Sequence, residues 1–141
     1  MPFIPHLSFQ GECREAFATY AEIFGGTVDQ MAFSDMPDAT AIELPAEQAG
    51  WIMHARLALP DGSALMGADM PSQLGGQRMA GMSVAVTLAD AAEVARVFDA
   101  LSSGGEVRME VGETFFASAF AMLTDRFGTD WMLMAQREAE A

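Results

Sequence analysis

The two histidines and a few carboxylates are the side chains of this chain best suited to acid–base or metal chemistry. His6 and His54 are the only histidines, and each lies on the more polar side of a segment in which apolar and polar residues alternate. With Glu113 or Asp69 they would supply two imidazoles and one carboxylate, the ligands of a facial metal site. Their wide separation in the sequence gives no direct support for a metal. We interpret His6, His54 and Glu113 first as polar residues that line a ligand pocket.

Acid–base catalysis is the main alternative for the same residues. His54 or Glu113 would transfer the proton, and burial among methionine and phenylalanine side chains would raise the pKa of the carboxyl group towards neutrality. Arg56 shares a strand face with His54, so the two side chains are placed to meet an anionic ligand. An ion pair between Arg56 and one of the 20 acidic residues is the simpler interpretation.

Aromatic and thioether side chains would supply apolar contacts to a ligand. Residues 113–116 combine a carboxylate, a hydroxyl and the rings of Phe115 and Phe116, which suits a flat or polar molecule. Packing at a strand end is the simpler explanation of the rings. Trp131 is expected to pack in the interior, where its indole N–H needs a partner. The chain has 12 methionines, whose flexible side chains fill irregular spaces and adapt to varied ligands.

Several other chemistries lack their sequence signatures. Gly75 and Gly76 are not followed by the Lys-Ser or Lys-Thr of a phosphate-binding loop, and no nucleophile elbow is present. Cys13 is the only cysteine, so an intrachain disulfide cannot form. Because Cys13 lies on the apolar stripe of a predicted helix, we expect a buried thiol rather than a nucleophile.

The composition is that of an acidic globular protein. The chain has 141 residues, 51% of them hydrophobic, which suits one domain or two small modules with a shared core. The net charge of −13 opposes binding to nucleic acid and to anionic membrane surfaces. No apolar run approaches the roughly 18 residues that span a bilayer, and no cationic leader is visible, so we expect a cytoplasmic protein.

The elements that must position these residues occur twice. Residues 4–28 align with residues 83–107 at a constant offset, so that Gly26 falls on Gly105. Because one such unit cannot bury its apolar face alone, the repeat predicts an α+β fold of two tandem βαβββ modules. The modules are predicted at residues 1–70 and 82–136, with a linker at 71–81 and a frayed acidic tail at 137–141. The predicted strands span residues 3–10, 28–33, 51–59, 64–69, 82–88, 107–111, 117–123 and 130–135.

Local signals mark the two predicted helices and one long loop. Gly25 is expected to end the first helix in the left-handed conformation. Asp90 is expected to cap the second helix, with Glu93 completing a capping box. The first module is the longer one, and residues 34–50 hold the excess as a loop that either covers a cavity or reflects length variation alone.

Several motifs together resemble the PhnB-like branch of the vicinal oxygen chelate superfamily, which includes glyoxalase I, extradiol dioxygenases and bleomycin-resistance proteins. The resemblance covers nearly the whole chain and implies the glyoxalase/bleomycin-resistance fold, with two curved mixed sheets. The branch is also labelled 3-demethylubiquinone methyltransferase-like. The motifs are HLSFQGECREAF at residues 6–17, IMHA at 52–55, LMGAD at 65–69, ETFF at 113–116 and DRFG at 125–128.

The resemblance also implies where a metal would bind. In metal-dependent relatives, each module supplies a His near the start of its first strand and a Glu in its last strand. These positions fall on Ile4 (or Pro5 in the adjacent register), Met66, Ser83 and Met132. Alkyl and thioether groups cannot supply the nitrogen or oxygen donors that such a cation needs. We therefore predict no metal and no cofactor.

These observations predict a small-molecule-binding protein that does not use a metal. It is expected to form a homodimer, because curved open sheets leave edges that relatives bury against a second copy. An acid–base enzyme, or a metal-dependent lyase or dioxygenase, acting in the same cavity is the alternative, and pairing of modules within or between chains stays open. The residues predicted to line the cavity are His6, His54, Met66, Glu113, Phe116, Trp131 and Met132.

Overall fold

The computed structural model describes residues 1–37 and 44–137. The chain divides into two compact units, Met1–Met79 and Ala80–Ala141, named unit 1 and unit 2 below. Unit 1 contains β1 (His6–Phe9), α1 (Cys13–Phe24), β2 (Thr27–Ala32), β3 (Ile52–Ala58) and β4 (Ala64–Asp69). Unit 2 contains β5 (Val84–Leu88), α2 (Ala91–Ser102), β6 (Glu106–Gly112), β7 (Ala117–Thr124) and β8 (Asp130–Gln136).

The two units share one topology. The strand order is β1-β4-β3-β2 in unit 1 and β5-β8-β7-β6 in unit 2. In each sheet the first strand runs parallel to the last, and the other neighbouring strands are antiparallel. The predicted α+β fold of two βαβββ modules is confirmed.

Helix α1 covers one face of the sheet of unit 1. The ring of Phe17 lies edge-on to that of Phe9, with 6.3 Å between the centroids. A Cβ atom added to Gly67 would lie 2.6 Å from Cε1 of Phe17, so only glycine lets the helix approach β4 this closely. Leu57 and Leu65 share this side of the sheet and are buried. The opposite side is called the helix-free face of unit 1.

Helix α2 covers the corresponding face in unit 2. Burial along β8 alternates, so that Trp131, Leu133 and Ala135 are buried while Met132 and Met134 are half-buried. Because alternate strand residues point to opposite faces, the two methionines lie on the side away from α2. That side is the helix-free face of unit 2. The helix contributes the buried residues Val94, Val97, Phe98 and Leu101.

The predicted helix ends agree with the structure. Gly25 ends α1 in the left-handed conformation, with φ of 75°. The Asp90 carboxylate accepts a hydrogen bond of 2.9 Å from the backbone N–H of Glu93, which caps α2. The Glu93 carboxylate binds Arg96 instead, so the structure shows only the Asp90 half of the predicted capping box.

The predicted boundaries need three corrections. Strand β1 begins at His6 rather than residue 3, since Pro2 and Pro5 have no N–H for a sheet ladder. The predicted linker belongs to unit 1 as far as Met79, whose Sδ accepts a bond of 3.3 Å from the N–H of Ser8. Arg137, assigned to the frayed tail, binds Glu113. Residues 38–43 of the predicted long loop and 138–141 of the tail lie outside the described residues.

Candidate functional site

The helix-free face of unit 1 is polar and includes an unbroken row of side chains across all four strands. His6 of β1 pairs with Met66 of β4, and Met66 pairs with Arg56 of β3. Arg56 in turn pairs with Asp29 of β2. Paired residues on neighbouring strands point to the same side of a sheet, so these four side chains share one face.

A second row runs beside the first. Ser8 pairs with Ala68, and Met31 pairs with His54. His54 lies two residues before Arg56 on β3 and therefore shares its face. His54 is half-buried, whereas His6 and Arg56 are exposed. The structure thus brings the predicted residues His6, His54 and Met66 together on one face.

The helix-free face of unit 2 is lined by thioether and aromatic groups. Met132 pairs with Met122, which pairs with Met109, so three methionines cross β8, β7 and β6 in one row. Met134 pairs with Phe120 in the adjacent row. Except for Phe120, which is buried, these side chains are half-buried or exposed. The predicted residue Met132 therefore lies in a continuous apolar surface.

The rings of Phe115, Phe116 and Phe120 extend this surface and are called the aromatic corner below. The ring of Phe116 lies edge-on to Phe120 at 5.2 Å and to Phe115 at 5.1 Å between centroids. Phe116 is 48% exposed and Phe115 is 90% exposed. The Thr114 hydroxyl accepts a 3.0 Å bond from the N–H of Ala117, which fixes the turn into β7. The predicted residue Phe116 thus joins the same surface as Met132.

Glu113 is held at the outer edge of this corner. Its carboxylate accepts a 2.6 Å bond from the Arg137 guanidinium, which also donates to the carbonyl oxygen of Thr114. The Glu113 side chain is 67% exposed. The expectation of a carboxyl group buried among methionine and phenylalanine is wrong, because Arg137 holds Glu113 at the surface. The alternative of Glu113 as a proton-transfer group therefore loses its physical basis.

A polar network lies at the other end of the helix-free face of unit 2. The sequence predictions did not include it. The Arg108 Nε donates a 2.7 Å bond to the Thr124 hydroxyl, which donates a 2.5 Å bond to the Asp130 carboxylate. The pairing of β6 with β7 shifts between Val107 and Met109, so Arg108 occupies a β-bulge. A bulge re-aims the side chain that it carries, and alternation along a strand cannot reveal it.

Trp131 does not belong to either helix-free face. It lies on the α2 side of β8 and is 1% exposed. Its indole N–H donates a 2.9 Å bond to Oδ2 of Asp125, which is the partner that a buried tryptophan requires. Oδ1 of Asp125 accepts from the N–H groups of Phe127 and Thr129, so this carboxylate also fixes the turn before β8. The prediction that Trp131 lines the same site as Met132 is wrong, since neighbouring strand residues point to opposite faces.

The Asp69 carboxylate also has a structural role, because it binds backbone N–H groups. Its Oδ1 accepts bonds of 2.8 and 3.0 Å from the N–H groups of Gly11 and Cys13, and its Oδ2 accepts a 2.8 Å bond from Ile52. The side chain is 1% exposed. This carboxylate joins the start of α1 to the start of β3, so a metal triad with His6 and His54 does not form.

Cys13 is a buried and unreactive thiol, as predicted. Its side chain has no exposed surface. Burial, reinforced by the negative charge of Asp69 and partly offset by Arg14, raises the pKa of the Cys13 thiol to about 12. The thiol is therefore protonated at neutral pH, and the thiolate is the form that reacts.

The positions at which relatives bind a metal do not offer a suitable donor set. Ile4 and Ser83 precede β1 and β5, and Met66 and Met132 place thioethers in β4 and β8. The residue beside Met66 in the sheet is His6, whereas the resemblance placed the inherited ligand position of the first strand at Ile4 or Pro5. Among residues 1–37 and 44–137, no group of three or more His, Cys, Asp and Glu side chains is placed to hold a metal ion. One imidazole beside a thioether does not fit a hard divalent cation.

The family model described as 3-demethylubiquinone-9 3-methyltransferase matches residues 1–134. The chain belongs to this family. It is 31% identical over 140 residues to Protein YjdN of Escherichia coli K12, with 94% of each chain covered. Within the described part of the chain, no helix is long and apolar enough to cross a membrane.

Solved structures share the fold of this chain. Protein PA1353 from Pseudomonas aeruginosa has 39% identity and a TM-score of 0.86, over 98% of this chain and 99% of that one. A putative 3-demethylubiquinone-9 3-methyltransferase, PhnB protein, from Bacillus cereus has 24% identity and a TM-score of 0.74, over 96% and 99%. A glyoxylase/bleomycin resistance protein/dioxygenase domain from Frankia shares the fold at 14% identity, with a TM-score of 0.64 over 99% and 94%. The predicted family and fold are confirmed.

Proposed function

We propose that this PhnB-like protein binds a small organic molecule without a divalent metal ion, and that the helix-free face of unit 2 supplies the main apolar contact. The observation that carries the proposal is the row of Met132, Met122 and Met109 beside Met134 and Phe120. Such a surface has no donor for a hard cation, but it suits contact with an apolar ring.

The physical properties of this surface favour a flat, largely apolar ligand. Thioethers are polarizable and make favourable contacts with aromatic rings. Their side chains have several rotatable bonds, so the surface can adapt to ligands of different outline. Phe116 is half exposed and presents a ring beside the methionine rows, where a second ring can pack edge-on against it. Glu113 adds a carboxylate at the rim.

Unit 1, taken by itself, presents polar groups on its own helix-free face. His6 and His54 place ring nitrogens on the helix-free face of that unit, and Met66 separates His6 from Arg56 in the same row. Each neutral imidazole offers one donor and one acceptor, so the pair can bind a polar group of a small molecule at the surface of unit 1. We propose these residues as polar contacts rather than as metal ligands.

The proposal is tested by following the methionine methyl groups by ¹³C NMR while the neutral apolar probe N-phenyl-1-naphthylamine is added. We expect the signals of Met109, Met122, Met132 and Met134 to shift together. Met132→Gln should weaken binding about tenfold or more, since it places a polar amide in the apolar contact. Met82→Gln is the matched control, because Met82 is 82% exposed and precedes β5.

The metal-free part of the proposal has its own measurement. Binding of the probe should be unchanged after dialysis against EDTA and after addition of Mn²⁺, Zn²⁺ or Ni²⁺. Stoichiometric retention of any of these ions, or loss of probe binding on chelation, would contradict it. Absence of methionine shifts with saturating probe would overturn the assignment of the binding face.

We also propose that the protein works as a homodimer. Strand β6 is an edge strand, and it exposes Val107 and Met109 at 41% and 48%. An exposed apolar edge is prone to pair with another chain, and a homodimer is the commonest way to cover it. Light scattering after size exclusion should give twice the chain mass, and a single monomer peak at micromolar concentration would contradict this proposal.

A further inference from the structure

The helix-free face of unit 1 carries an arginine that the fold does not use. We infer that Arg56, with His6 and His54, forms a subsite for the anionic group of an organic ligand, either a carboxylate or a phosphate-type oxyanion. The inference rests on the proposed function only in requiring that an organic ligand binds. It concerns unit 1 alone, and it assigns an anionic group to the molecule bound there, with Arg56 as a contact residue.

Several arginines of the chain form ion pairs with carboxylates, and Arg56 is not among them. All seven basic residues are arginines, against 20 acidic residues. Arg96, Arg108 and Arg137 each bind a carboxylate. Within residues 1–37 and 44–137, Arg56 has no ion pair, and the simpler interpretation of an ordinary salt bridge is not met. Its guanidinium is therefore available to a ligand.

One acidic side chain, Asp29, lies beside Arg56 in the sheet. Asp29 pairs with Arg56 across β2 and β3 and lies on the same face. Among the described residues, no nitrogen of Arg56 lies within 4 Å of a carboxylate oxygen, Asp29 included. Asp29 thus competes for the guanidinium without neutralising it.

The sheet register sets the spacing of the proposed donors. His54 is two residues from Arg56 along β3, or about 7 Å at the usual rise of a strand. His6 is separated from Arg56 by Met66 alone, which puts the two backbones about 10 Å apart at the usual strand spacing. An oxyanion above Met66 would therefore lie among the three side chains.

The chemistry of the three groups fits an oxyanion. The guanidinium presents paired N–H donors that match the two oxygens of a carboxylate or phosphate. Each imidazole adds an N–H donor in its neutral form. The net charge of −13 repels anions at long range, so attraction must come from direct contacts such as these.

The test compares benzoate with its neutral analogue benzamide, using the ¹⁵N imidazole signals of His6 and His54 and titration calorimetry. We expect benzoate to shift both imidazole signals and to bind at least about tenfold more tightly than benzamide. Arg56→Gln should remove this preference and leave benzamide binding unchanged. Arg96→Gln changes the net charge equally but lies on α2, so it should retain the preference. Inorganic phosphate and phenylphosphonate, titrated in parallel, show which oxyanion is preferred.

A second variant keeps the inference testable if Arg56→Gln is unstable. Asp29→Asn removes the competing carboxylate and should tighten benzoate binding severalfold without affecting benzamide. Equal binding of benzoate and benzamide, or equal effects of Arg56→Gln and Arg96→Gln, would overturn the anionic subsite alone. If neither compound nor the neutral naphthylamine probe binds, the proposed function itself fails.

Discussion

The two helix-free faces have the same strand order, but the rows through Met66 and Met132 differ in chemistry. In unit 1 the row across the sheet is His6, Met66, Arg56 and Asp29, with three of four side chains polar. In unit 2 the corresponding row of Met132, Met122 and Met109 is sulfur-rich and uncharged. A repeated backbone has thus kept its architecture while its exposed faces diverged. Function must be read from the side chains on each face and not from the repeat.

The units also differ in how a buried carboxylate supports the fold. In unit 1 the start of α1 depends on Asp69, which comes from the end of β4 and also holds β3. In unit 2 the local residue Asp90 caps α2. The buried Asp125 acts within its own turn and on Trp131. Unit 1 therefore depends on a contact between distant parts of the chain, which unit 2 replaces with local ones.

The largest expected effect is the loss of Asp69. Asp69→Ala leaves three backbone N–H groups without their acceptor, which should lower the free energy of unfolding by about 4 kcal/mol. Asp90→Ala removes one exposed helix cap and should cost only about 1 kcal/mol. Urea denaturation measures both. Equal losses would show that the two units do not differ in this way.

The next prediction tests the contrast between the two faces. Met132→Glu should weaken binding of the neutral naphthylamine probe by about a hundredfold, because a charge enters an apolar contact. Met66→Glu introduces the same charge between His6 and Arg56, where cationic and polar neighbours accept it. It should change probe binding by less than about threefold. Fluorescence titration of both variants with the probe measures the two affinities. A similar loss of affinity in each would contradict the assignment of probe binding to the face of unit 2.

A further effect, spread over several pH units, is expected from Cys13. Its pKa is raised from 9.0 to about 12 in the folded protein, so folding retains a proton that the unfolded chain releases. The resulting contribution is complete below pH 9 and is lost as the pH rises towards 12. The free energy of unfolding should fall by roughly 1.4 kcal/mol per pH unit in that range. Cys13→Ala should lack this part of the decline in denaturation measured from pH 8 to 11.

The smallest effect is expected from the Arg137–Glu113 ion pair beside Phe116. Arg137→Gln removes the ion pair with Glu113 and the bond to Thr114, which together hold the turn that carries Phe116. Since both charged groups are substantially exposed, probe affinity should fall only about two- to threefold. Glu113→Gln retains a hydrogen-bond acceptor for Arg137. Its probe affinity should therefore lie between that of the unmodified chain and that of Arg137→Gln. A larger loss of probe affinity in Glu113→Gln than in Arg137→Gln would show that Glu113 contacts the ligand and does not merely hold Arg137.

The elements of the fold were predictable because their signals are local. Gly25 and Asp90 mark helix ends through backbone requirements of single residues, and the repeat of Gly26 at Gly105 exposes the duplication. The placement of Trp131 was not predictable, because β8 is apolar on both sides and alternation cannot assign a face. The role of Asp69 was hidden for another reason, since its three partners lie 17 to 58 residues away in the sequence.

The candidate site was predictable only in part. His6, His54 and Met66 were predicted to line a ligand cavity, and the structure places them on one face of the sheet of unit 1. The missing information was register: the resemblance placed the inherited ligand position at Ile4 or Pro5, whereas the residue beside Met66 is His6. Arg108 was missed since a bulge breaks the alternation from which faces are inferred.

The methionine rows of unit 2 make the proposed binding face sensitive to oxidants. Met109 is 48% exposed, and Met122, Met132 and Met134 are half-buried, so peroxide can reach their sulfur atoms. Each sulfoxide adds a polar, chiral oxygen to a side chain that offers only dispersion contacts, and reductases can reverse the change. Ligand occupancy would therefore rise and fall with the redox state of the surroundings, through a surface that contains no cysteine.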